Sequence, residues 1–177
     1  MKITRQWAMP DKNTFNIPPI SDLIKRYISG EWVDPFVGYS KFAHLCTKTN
    51  DLNPKITADY HLEALEFLQQ LDSNLFDGVL LDPPYSARQI KECYNGVGRD
   101  VLQWEVLNGY FKRHKVEITR ILKVGGVVLS FGWNSGGVGM GNLMQIEEIL
   151  LVPHGGAHND TIVTVDRKIA EQTDMFK

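Results

Sequence analysis

Apolar runs, together with apolar residues spaced three or four apart, predict an alternation of strands and helices along the chain. The segment 77–82 is apolar through its middle, which is typical of a strand covered on both faces. Helical spacing marks 61–71 and 101–122, and the pair Gly125-Gly126 is expected to end the second helix. Further strands are predicted at 31–34, 47–52 and 127–131.

The two ends of the chain add an arm and a hairpin to this pattern. Three prolines within residues 1–19 predict an extended N-terminal arm, followed by a short helix over 22–28 with Ser21 as its N-cap. Near the other end, apolar segments at 148–152 and 161–165 flank a turn-rich spacer and predict a β-hairpin. We therefore expect a single α/β domain over residues 1–177, with a mostly parallel sheet and a C-terminal antiparallel hairpin.

Composition and charge exclude several classes of protein. The chain has 177 residues, with 19 Lys and Arg against 21 Asp and Glu, so its net charge is −2. Nucleic-acid binding therefore requires a local basic patch, for which the segment 88–123, with eight basic and four acidic residues, is the candidate. No apolar run approaches the ~20 residues of a membrane span, so we expect no contact with a membrane.

Cysteine and histidine usage points away from metal and disulfide chemistry. Cys46 and Cys93 stand 47 positions apart, with no spacing typical of zinc ligands, and free thiols suit a reducing cytoplasm. His154 and His158 lie in a glycine-rich turn without an evident third ligand. We expect a cytoplasmic protein without a metal.

The segment Asp82-Pro83-Pro84-Tyr85 carries the strongest chemical signal. It directly follows the predicted strand through Leu81, and two prolines cannot continue a strand because they lack amide hydrogens. The Pro83 carbonyl and the Asp82 carboxylate are then two free acceptors beside the aromatic ring of Tyr85. Two acceptors and a stacking surface suit a planar ring that bears an exocyclic amino group, such as adenine or cytosine.

Two other predicted strands also end in unusual polar or proline-containing segments, namely 34–36 and 50–51. With Asp82-Pro83-Pro84-Tyr85, they resemble the motifs of the S-adenosylmethionine-dependent amino-group DNA methyltransferases, in the Asp form most often seen in N6-adenine enzymes. Tyr39 and Ser40 follow Asp34-Pro35-Phe36-Val37-Gly38, at positions where a further glycine is common in that family. The resemblance covers residues 12–168 and implies a Rossmann-like methyltransferase fold.

The resemblance also assigns roles to individual residues. It implies that the methyl group passes directly from S-adenosylmethionine to the amino nitrogen of a base flipped out of DNA. The residues that it implies for catalysis are Asp82, Pro83, Pro84 and Tyr85. Those that it implies for cofactor binding are Phe15, Asp34, Pro35, Phe36, Gly38, Asp51 and Asp59, with His61 as an alternative to Asp59. In the basic segment, Arg88, Lys112 and Arg113 are the candidate DNA contacts, and the segment 133–135 is a candidate wall of the base pocket.

Other classes of function stay open at this point. Related motifs occur in enzymes that methylate RNA or protein glutamine, and a non-catalytic binding protein could keep the same fold. Only 22 residues separate Asp59 from Asp82, so the segment between them leaves no room for a target-recognition domain. We therefore expect weak sequence selectivity, unless a partner subunit supplies recognition.

Overall fold

The computed structural model describes residues 1–102, 110–139, 141–156 and 158–171. Its strands are β1 (Lys2–Arg5), β2 (Trp32–Asp34), β3 (Lys48–Thr49), β4 (Phe76–Leu81), β5 (Leu122–Gly132), β6 (Met144–Val152) and β7 (Thr161–Lys168). The α-helices within the described ranges are α1 (Pro18–Tyr27), α2 (Ala64–Gln69), α3 (Ala87–Gly96) and α4 (Tyr110–Ile121). All seven strands join one sheet in the order β1-β6-β7-β5-β4-β2-β3.

The direction of the strands confirms the predicted fold class. Strand β7 pairs antiparallel with β5 and β6, while the other pairings in the sheet are parallel. From β2 the chain passes outward to β3 and then returns to β4 on the other side of β2. In open α/β sheets such a reversal creates a crevice beyond the carboxyl ends of the strands, which is where ligands bind.

Alternate side chains of the central strands pack into two separate apolar cores. Leu80 and Leu129 pack in the core that contains α1, whereas Val79 and Val128 pack in the core that contains α2 and α4. Each fully buried side chain of this kind contributes about 1.5–3 kcal/mol of hydrophobic stabilisation. Both cores hold the central strands rigidly, and this fixes the positions of the loops at the strand ends.

The first helix begins three residues earlier than the predicted N-cap. Helix α1 starts at Pro18 after Ile17, and prolines are favoured there because first-turn amides have no acceptor within the helix. Ser21 is therefore not the N-cap but a buried residue inside the helix. The prediction was wrong because it treated the two prolines as part of the extended arm.

The N-terminal arm is also partly incorporated into the sheet. Strand β1 pairs in parallel with residues 148–151 of β6 and forms one edge of the sheet, so the predicted hairpin lies inside the sheet and not at its edge. The pairing rests on backbone hydrogen bonds at an edge, where the outer side chains need not follow an apolar pattern. The hairpin itself is confirmed as β6 and β7.

The predicted helix over 101–122 is confirmed in its second half, as α4. Residues 103–109, which include the apolar positions Trp104 and Leu107, lie outside the described residues. The helix ends at Ile121, and Gly125-Gly126 belongs to β5 instead of ending the helix. Gly125 has a φ of +88°, so the pair bends the start of the strand.

In the described parts of the chain, the helices are too short or too polar to cross a membrane.

Candidate active site

Three aspartates stand where strands of the sheet end, as the sequence predicted. Asp34 is the last residue of β2, Asp51 lies two residues beyond β3, and Asp82 directly follows β4. Asp51 and Asp82 line a first cavity of about 350 Å³, together with Pro35 and Phe36. The sheet therefore brings Pro35 and Asp82, which are 47 positions apart in sequence, to one crevice.

Asp34 supports the wall of this cavity from below. It is fully buried, its Oδ1 accepts a hydrogen bond from the Phe36 amide at 3.1 Å, and its Oδ2 has no partner among the described residues. Burial raises the pKa of Asp34 well above its usual value, and the nearby carboxylates of Asp82 and Asp51 raise it further. Asp34 is not among the residues that line the cavities, and it supports the loop that follows β2; its role as a direct cofactor contact stays a prediction.

Asp51 fixes the loop that follows β2 while facing the first cavity. Its Oδ2 accepts from the Gly38 amide at 3.0 Å, and its Oδ1 accepts from the Asn53 amide at 2.8 Å. Gly38 adopts a φ of +48°, which is the left-handed region that favours glycine. Because a carboxylate offers about four acceptor sites, Asp51 keeps capacity for further donors in the cavity.

The structure places Asp59 and His61 away from the lining of the described cavities. The Oδ2 atom of Asp59 accepts from both the amide and the hydroxyl of Thr49, each at 2.8 Å. The Nδ1 atom of His61 lies 3.1 Å from the Asp51 carbonyl oxygen. Asp59 therefore stabilises the end of β3, and its role in cofactor binding stays a prediction.

The segment Asp82-Pro83-Pro84-Tyr85 forms the partition between the first cavity and a second one. Pro83, Pro84 and Tyr85 line both cavities, and within the described residues no hydrogen bond is donated to the Pro83 carbonyl. The next residue, Ser86, caps α3 by accepting from the Gln89 amide at 3.2 Å. In return, Gln89 accepts from the Tyr85 amide at 2.8 Å, so the start of α3 holds the segment in place.

Asp82 has a pKa that lies near neutral pH. Burial raises its pKa from the usual value near 4 to about 7, and a hydrogen bond with the Thr14 side chain acts in the opposite direction. Its Oδ1 also accepts from the Tyr85 hydroxyl. Near neutral pH this carboxyl exchanges readily between its charged and neutral forms, a property that is common at functional sites.

The second cavity, of about 210 Å³, has four aromatic residues in its lining, namely Tyr85, Phe111, Phe131 and Trp133. The ring centroids of Tyr85 and Trp133 are 5.5 Å apart, and Leu81, Pro83 and Pro84 add further apolar surface. Its polar lining residues are His114, Lys115, Ser130, Asn134 and Thr164. Trp133 and Asn134 thus line this cavity, and the role of 133–135 as a wall of the base pocket stays a prediction.

A third cavity, of about 170 Å³, opens on the other side of Asp82. It is lined by residues of the N-terminal arm, among them Lys12 and Phe15, and by residues 36–40. Phe15 is buried and packs on Phe131, with ring centroids 4.8 Å apart. The arm therefore lines this cavity, and the contact of Phe15 with a cofactor stays a prediction.

The three candidate DNA contacts occupy two different helices: Lys112 and Arg113 lie on α4 beside the second cavity, whereas Arg88 lies on α3, next to residues that line the first cavity. Lys112 and Arg113 are exposed on α4, next to the lining residues Phe111 and His114. Arg88 is also exposed, with 87% of its side chain accessible, and forms an ion pair with Glu92 at 2.7 Å. Lys115 is committed to the Gly137 carbonyl at 2.8 Å.

The sequence patterns did not predict one acidic and one basic side chain that the fold brings to the site. Glu63 lines the first cavity and His114 the second, and their Oε1 and Nε2 atoms are 3.5 Å apart. His114 lies on the inner side of α4, where a lone histidine among charged residues gives no distinct signal. Only the packing of α4 against α2 brings the two side chains together.

Comparison with known proteins identifies the fold. No protein-family profile matches the sequence, and no curated protein is similar to it in sequence. The structure is similar to TrmN from Thermus thermophilus, with a TM-score of 0.58 and 14% identity over 86% of this chain, which spans 49% of that protein. It is also similar to the N-methyltransferase NodS from Bradyrhizobium japonicum WM9, with a TM-score of 0.56 and 14% identity over 91% of this chain and 100% of NodS.

A third similar structure is the 1,6-didemethyltoxoflavin-N1-methyltransferase of Burkholderia thailandensis, solved with 1,6-didemethyltoxoflavin and S-adenosylhomocysteine. Its TM-score is 0.56, with 12% identity over 86% of this chain and 77% of the other. These likenesses define the class: the chain has the Rossmann-like methyltransferase fold. At this level of identity they identify the fold alone.

Proposed function

We propose that this protein transfers a methyl group from S-adenosylmethionine to the exocyclic amino group of a base in DNA, with adenine N6 as the preferred target. The observation that carries the proposal is the position of Asp82-Pro83-Pro84-Tyr85. This segment stands between a cavity that contains the Asp51 carboxylate and a second cavity with aromatic walls. Pro83, Pro84 and Tyr85 line both cavities, so a donor and an acceptor bound on the two sides would meet at this segment, directly after Asp82.

The first cavity fits the adenosine part of the cofactor. Asp51 offers carboxylate oxygens that can accept from both ribose hydroxyls, and Phe36, Leu52 and Leu62 provide apolar surface for a purine ring. The similar Burkholderia enzyme was solved with S-adenosylhomocysteine, the product of such a cofactor. When bound, S-adenosylmethionine supplies a methyl group on a positively charged sulfur, which leaves as a neutral thioether.

The second cavity favours a planar acceptor over a flexible amide. A volume of about 210 Å³ suits a single heterocyclic base. Tyr85, Trp133 and Phe111 offer ring faces and edges against which a base can stack, whereas a glutamine amide would gain little from them. The aromatic lining therefore supports a nucleobase substrate.

The acceptors at the partition orient the attacking nitrogen. The Asp82 carboxylate and the Pro83 carbonyl can each accept one N–H of the amino group, so that the nitrogen lone pair points towards the methyl carbon. As the nitrogen–carbon bond forms and the carbon–sulfur bond breaks, both oxygens stabilise the positive charge on nitrogen. The nitrogen then loses one proton, for which a carboxylate with a pKa of about 7 is a suitable first acceptor at neutral pH.

Transfer of a labelled methyl group tests the proposal. Wild-type protein is incubated with methyl-labelled S-adenosylmethionine and, in separate reactions, unmodified duplex DNA, RNA and a glutamine-containing peptide. Nucleoside analysis should find N6-methyldeoxyadenosine from the DNA, and an Asp82→Ala variant should produce almost none. Label in the RNA or the peptide but not in DNA would reassign the substrate, and absence of cofactor binding would reject the methyltransferase proposal altogether.

A further inference from the structure

The loop that follows β5 forms part of the second cavity, although its sequence favours a mobile chain. Trp133, Asn134 and Gly137 line the cavity, and glycines occupy positions 136, 137 and 139. Glycine loses more conformational freedom than any other residue when it is ordered, so such a loop costs more to fix than an ordinary one. A fixed lining therefore needs contacts from outside the loop, and two side chains on other elements supply them.

The first of these side chains is Asp166 of β7, which is buried with 1% of its surface exposed. Its Oδ1 accepts from the Val138 amide at 3.2 Å, and its Oδ2 accepts from the Thr164 hydroxyl at 2.9 Å. Burial raises the pKa of Asp166, whereas these two hydrogen bonds and the nearby Lys115 charge act in the opposite direction. Asp166 is not among the residues that line the second cavity, so it acts on the cavity through the loop that it holds.

The second side chain is Lys115 of α4, whose Nζ donates to the Gly137 carbonyl at 2.8 Å. The Gly137 carbonyl and the Val138 amide belong to one peptide group, so Lys115 and Asp166 hold its two ends from α4 and β7. This close contact requires glycine, because Gly137 has a φ of +56° and a Cβ there would lie 2.3 Å from Asp166 Oδ1. The orientation of the 137–138 peptide group is therefore fixed from two directions.

Resting on the function proposed above, we propose that Asp166 is a positioning residue for the base: together with Lys115 it clamps the 137–138 peptide group and thereby sets the place of Trp133 in the second cavity. Residues 133–136 connect the end of β5 to this clamp. The Trp133 ring stands 5.5 Å from the Tyr85 ring between centroids, and a bound base gains affinity from stacking on such rings. Release of the clamp would free one end of the short connection, while the other end stays in the sheet.

Steady-state kinetics of Asp166→Ala tests this assignment. Because displacement of a stacking ring weakens binding of the base, the KM for DNA should rise about tenfold, while kcat and the affinity for S-adenosylmethionine stay within about twofold of the wild type. Asp166→Asn should restore most of the wild-type KM, since its amide oxygen can still accept from the Val138 amide. An equal loss of cofactor affinity in Asp166→Ala would show a general disturbance of the fold and would overturn the assignment.

Fluorine NMR gives a second readout, which does not depend on activity. The chain has four tryptophans, which can be labelled as 5-fluorotryptophan, and Trp133→Phe assigns the Trp133 resonance. This resonance should shift or broaden in Asp166→Ala and also in Lys115→Met, which removes the other half of the clamp from a half-buried side chain. The resonance of Trp32, which is fully buried in the core that contains α1, should remain unchanged.

Glu148→Ala is the matched control, because it removes a similarly buried carboxylate from the neighbouring strand β6. Glu148 accepts from Arg26 and Tyr27 of α1, so its loss should leave the Trp133 resonance and the KM for DNA unchanged. An unchanged Trp133 resonance in both clamp variants, or the same shift in Glu148→Ala, would overturn the proposal. If the wild type transferred no methyl group to DNA, the proposed function would be rejected, while a displaced Trp133 resonance would still support the clamp.

Discussion

At the scale of single residues, Asp51 and Asp82 face the same cavity but have different partners. Asp51 holds backbone amides and keeps free acceptor sites for ribose hydroxyls, whereas Asp82 stands at the partition beside Tyr85. We expect Asp51→Ala to weaken cofactor binding ten- to a hundredfold, through loss of about 1.5–3 kcal/mol of charge-assisted hydrogen bonds. Asp82→Ala should keep cofactor affinity within a few-fold and lower turnover by about a hundredfold or more.

Two measurements on each variant separate these roles, namely calorimetry with the cofactor and a methyl-transfer assay at saturating cofactor. Asp51→Asn is the control for folding of the loop, since an amide oxygen can still accept from the Gly38 amide. Wild-type turnover by Asp82→Ala would show that Asp82 has no catalytic role. A lower affinity in Asp82→Ala equal to that in Asp51→Ala would show that both residues serve the cofactor.

The raised pKa of Asp82 has a consequence for stability. Because the pKa is about 7 in the folded protein and near 4 in the unfolded chain, the stability that Asp82 contributes is present below pH 4 and is lost as the pH rises to 7. Asp82→Asn cannot ionise, so it should stabilise the fold at pH 8 by about 2–4 kcal/mol relative to the wild type. At pH 4 the two proteins should differ by less than about 1 kcal/mol. Denaturant unfolding at both pH values measures the difference, and an equal difference at pH 4 and pH 8 would contradict the assigned cause.

At the scale of secondary-structure elements, the contact between β2 and β4 sets the geometry of the site, because Asp34 and Asp82 end these two strands. Gly78 of β4 pairs with Trp32 of β2, and a Cβ at Gly78 would come within 2.3 Å of the Trp32 ring. Trp32 is fully buried and has no room to move. We expect Gly78→Ala to destabilise the fold by about 1–3 kcal/mol or more through overpacking, as measured by denaturant unfolding.

Gly96→Ala is the matched control, because a Cβ at this last residue of α3 meets no atom within 4 Å. In a helix, alanine is favoured over glycine by up to about 1 kcal/mol, so this variant should be neutral or more stable. Destabilisation of similar size in both variants would show that the close approach to Trp32 is not the cause.

Sequence patterns predicted those elements whose side chains alternate or recur around a buried face. The strand β4 and the hairpin of β6 and β7 were found in this way, because their apolar residues form the core. The edge strand β1 was missed, since its pairing depends on the backbone. The start of α1 was misplaced because Pro18 and Pro19 suit both an arm and the first turn of a helix.

The candidate site shows the same limit. Asp82-Pro83-Pro84-Tyr85 could be located because its four residues are contiguous and their chemistry is local. The burial of Asp34 depends on how neighbouring strands pack, and the bonds between Asp59 and Thr49 depend on how the chain after β3 folds back onto that strand; neither follows from a short sequence pattern.

At the scale of the whole molecule, the three cavities adjoin one another at the carboxyl edge of the sheet and share lining residues. Asp82 connects the first and third cavities, and Pro83, Pro84 and Tyr85 connect the first and second. The charges follow the same order: carboxylates surround the first cavity, whereas the exposed cations Lys112 and Arg113 stand beside the second. A polyanion is therefore favoured at the outer side of the second cavity and disfavoured over the first.

This distribution predicts how DNA binding responds to salt. The chain is acidic overall, with a net charge of −2, so any attraction for DNA must come from a local group of cations. Lys112 and Arg113 are exposed on α4 beside the proposed base pocket, and each phosphate contact contributes about 0.9 units to the log–log salt slope. The double variant Lys112→Ala/Arg113→Ala should therefore lower the slope by about two units, as measured by fluorescence anisotropy of labelled duplex DNA at several salt concentrations. Arg88→Ala should have a smaller effect, since Arg88 already pairs with Glu92.

As a control, Arg5→Ala/Lys25→Ala removes two cations from β1 and α1, which lie away from the second cavity, and should leave the slope unchanged. The opposite pattern, an unchanged slope in the α4 variant and a reduced slope in the control, would place DNA on another face of the molecule and leave the second cavity without its proposed substrate.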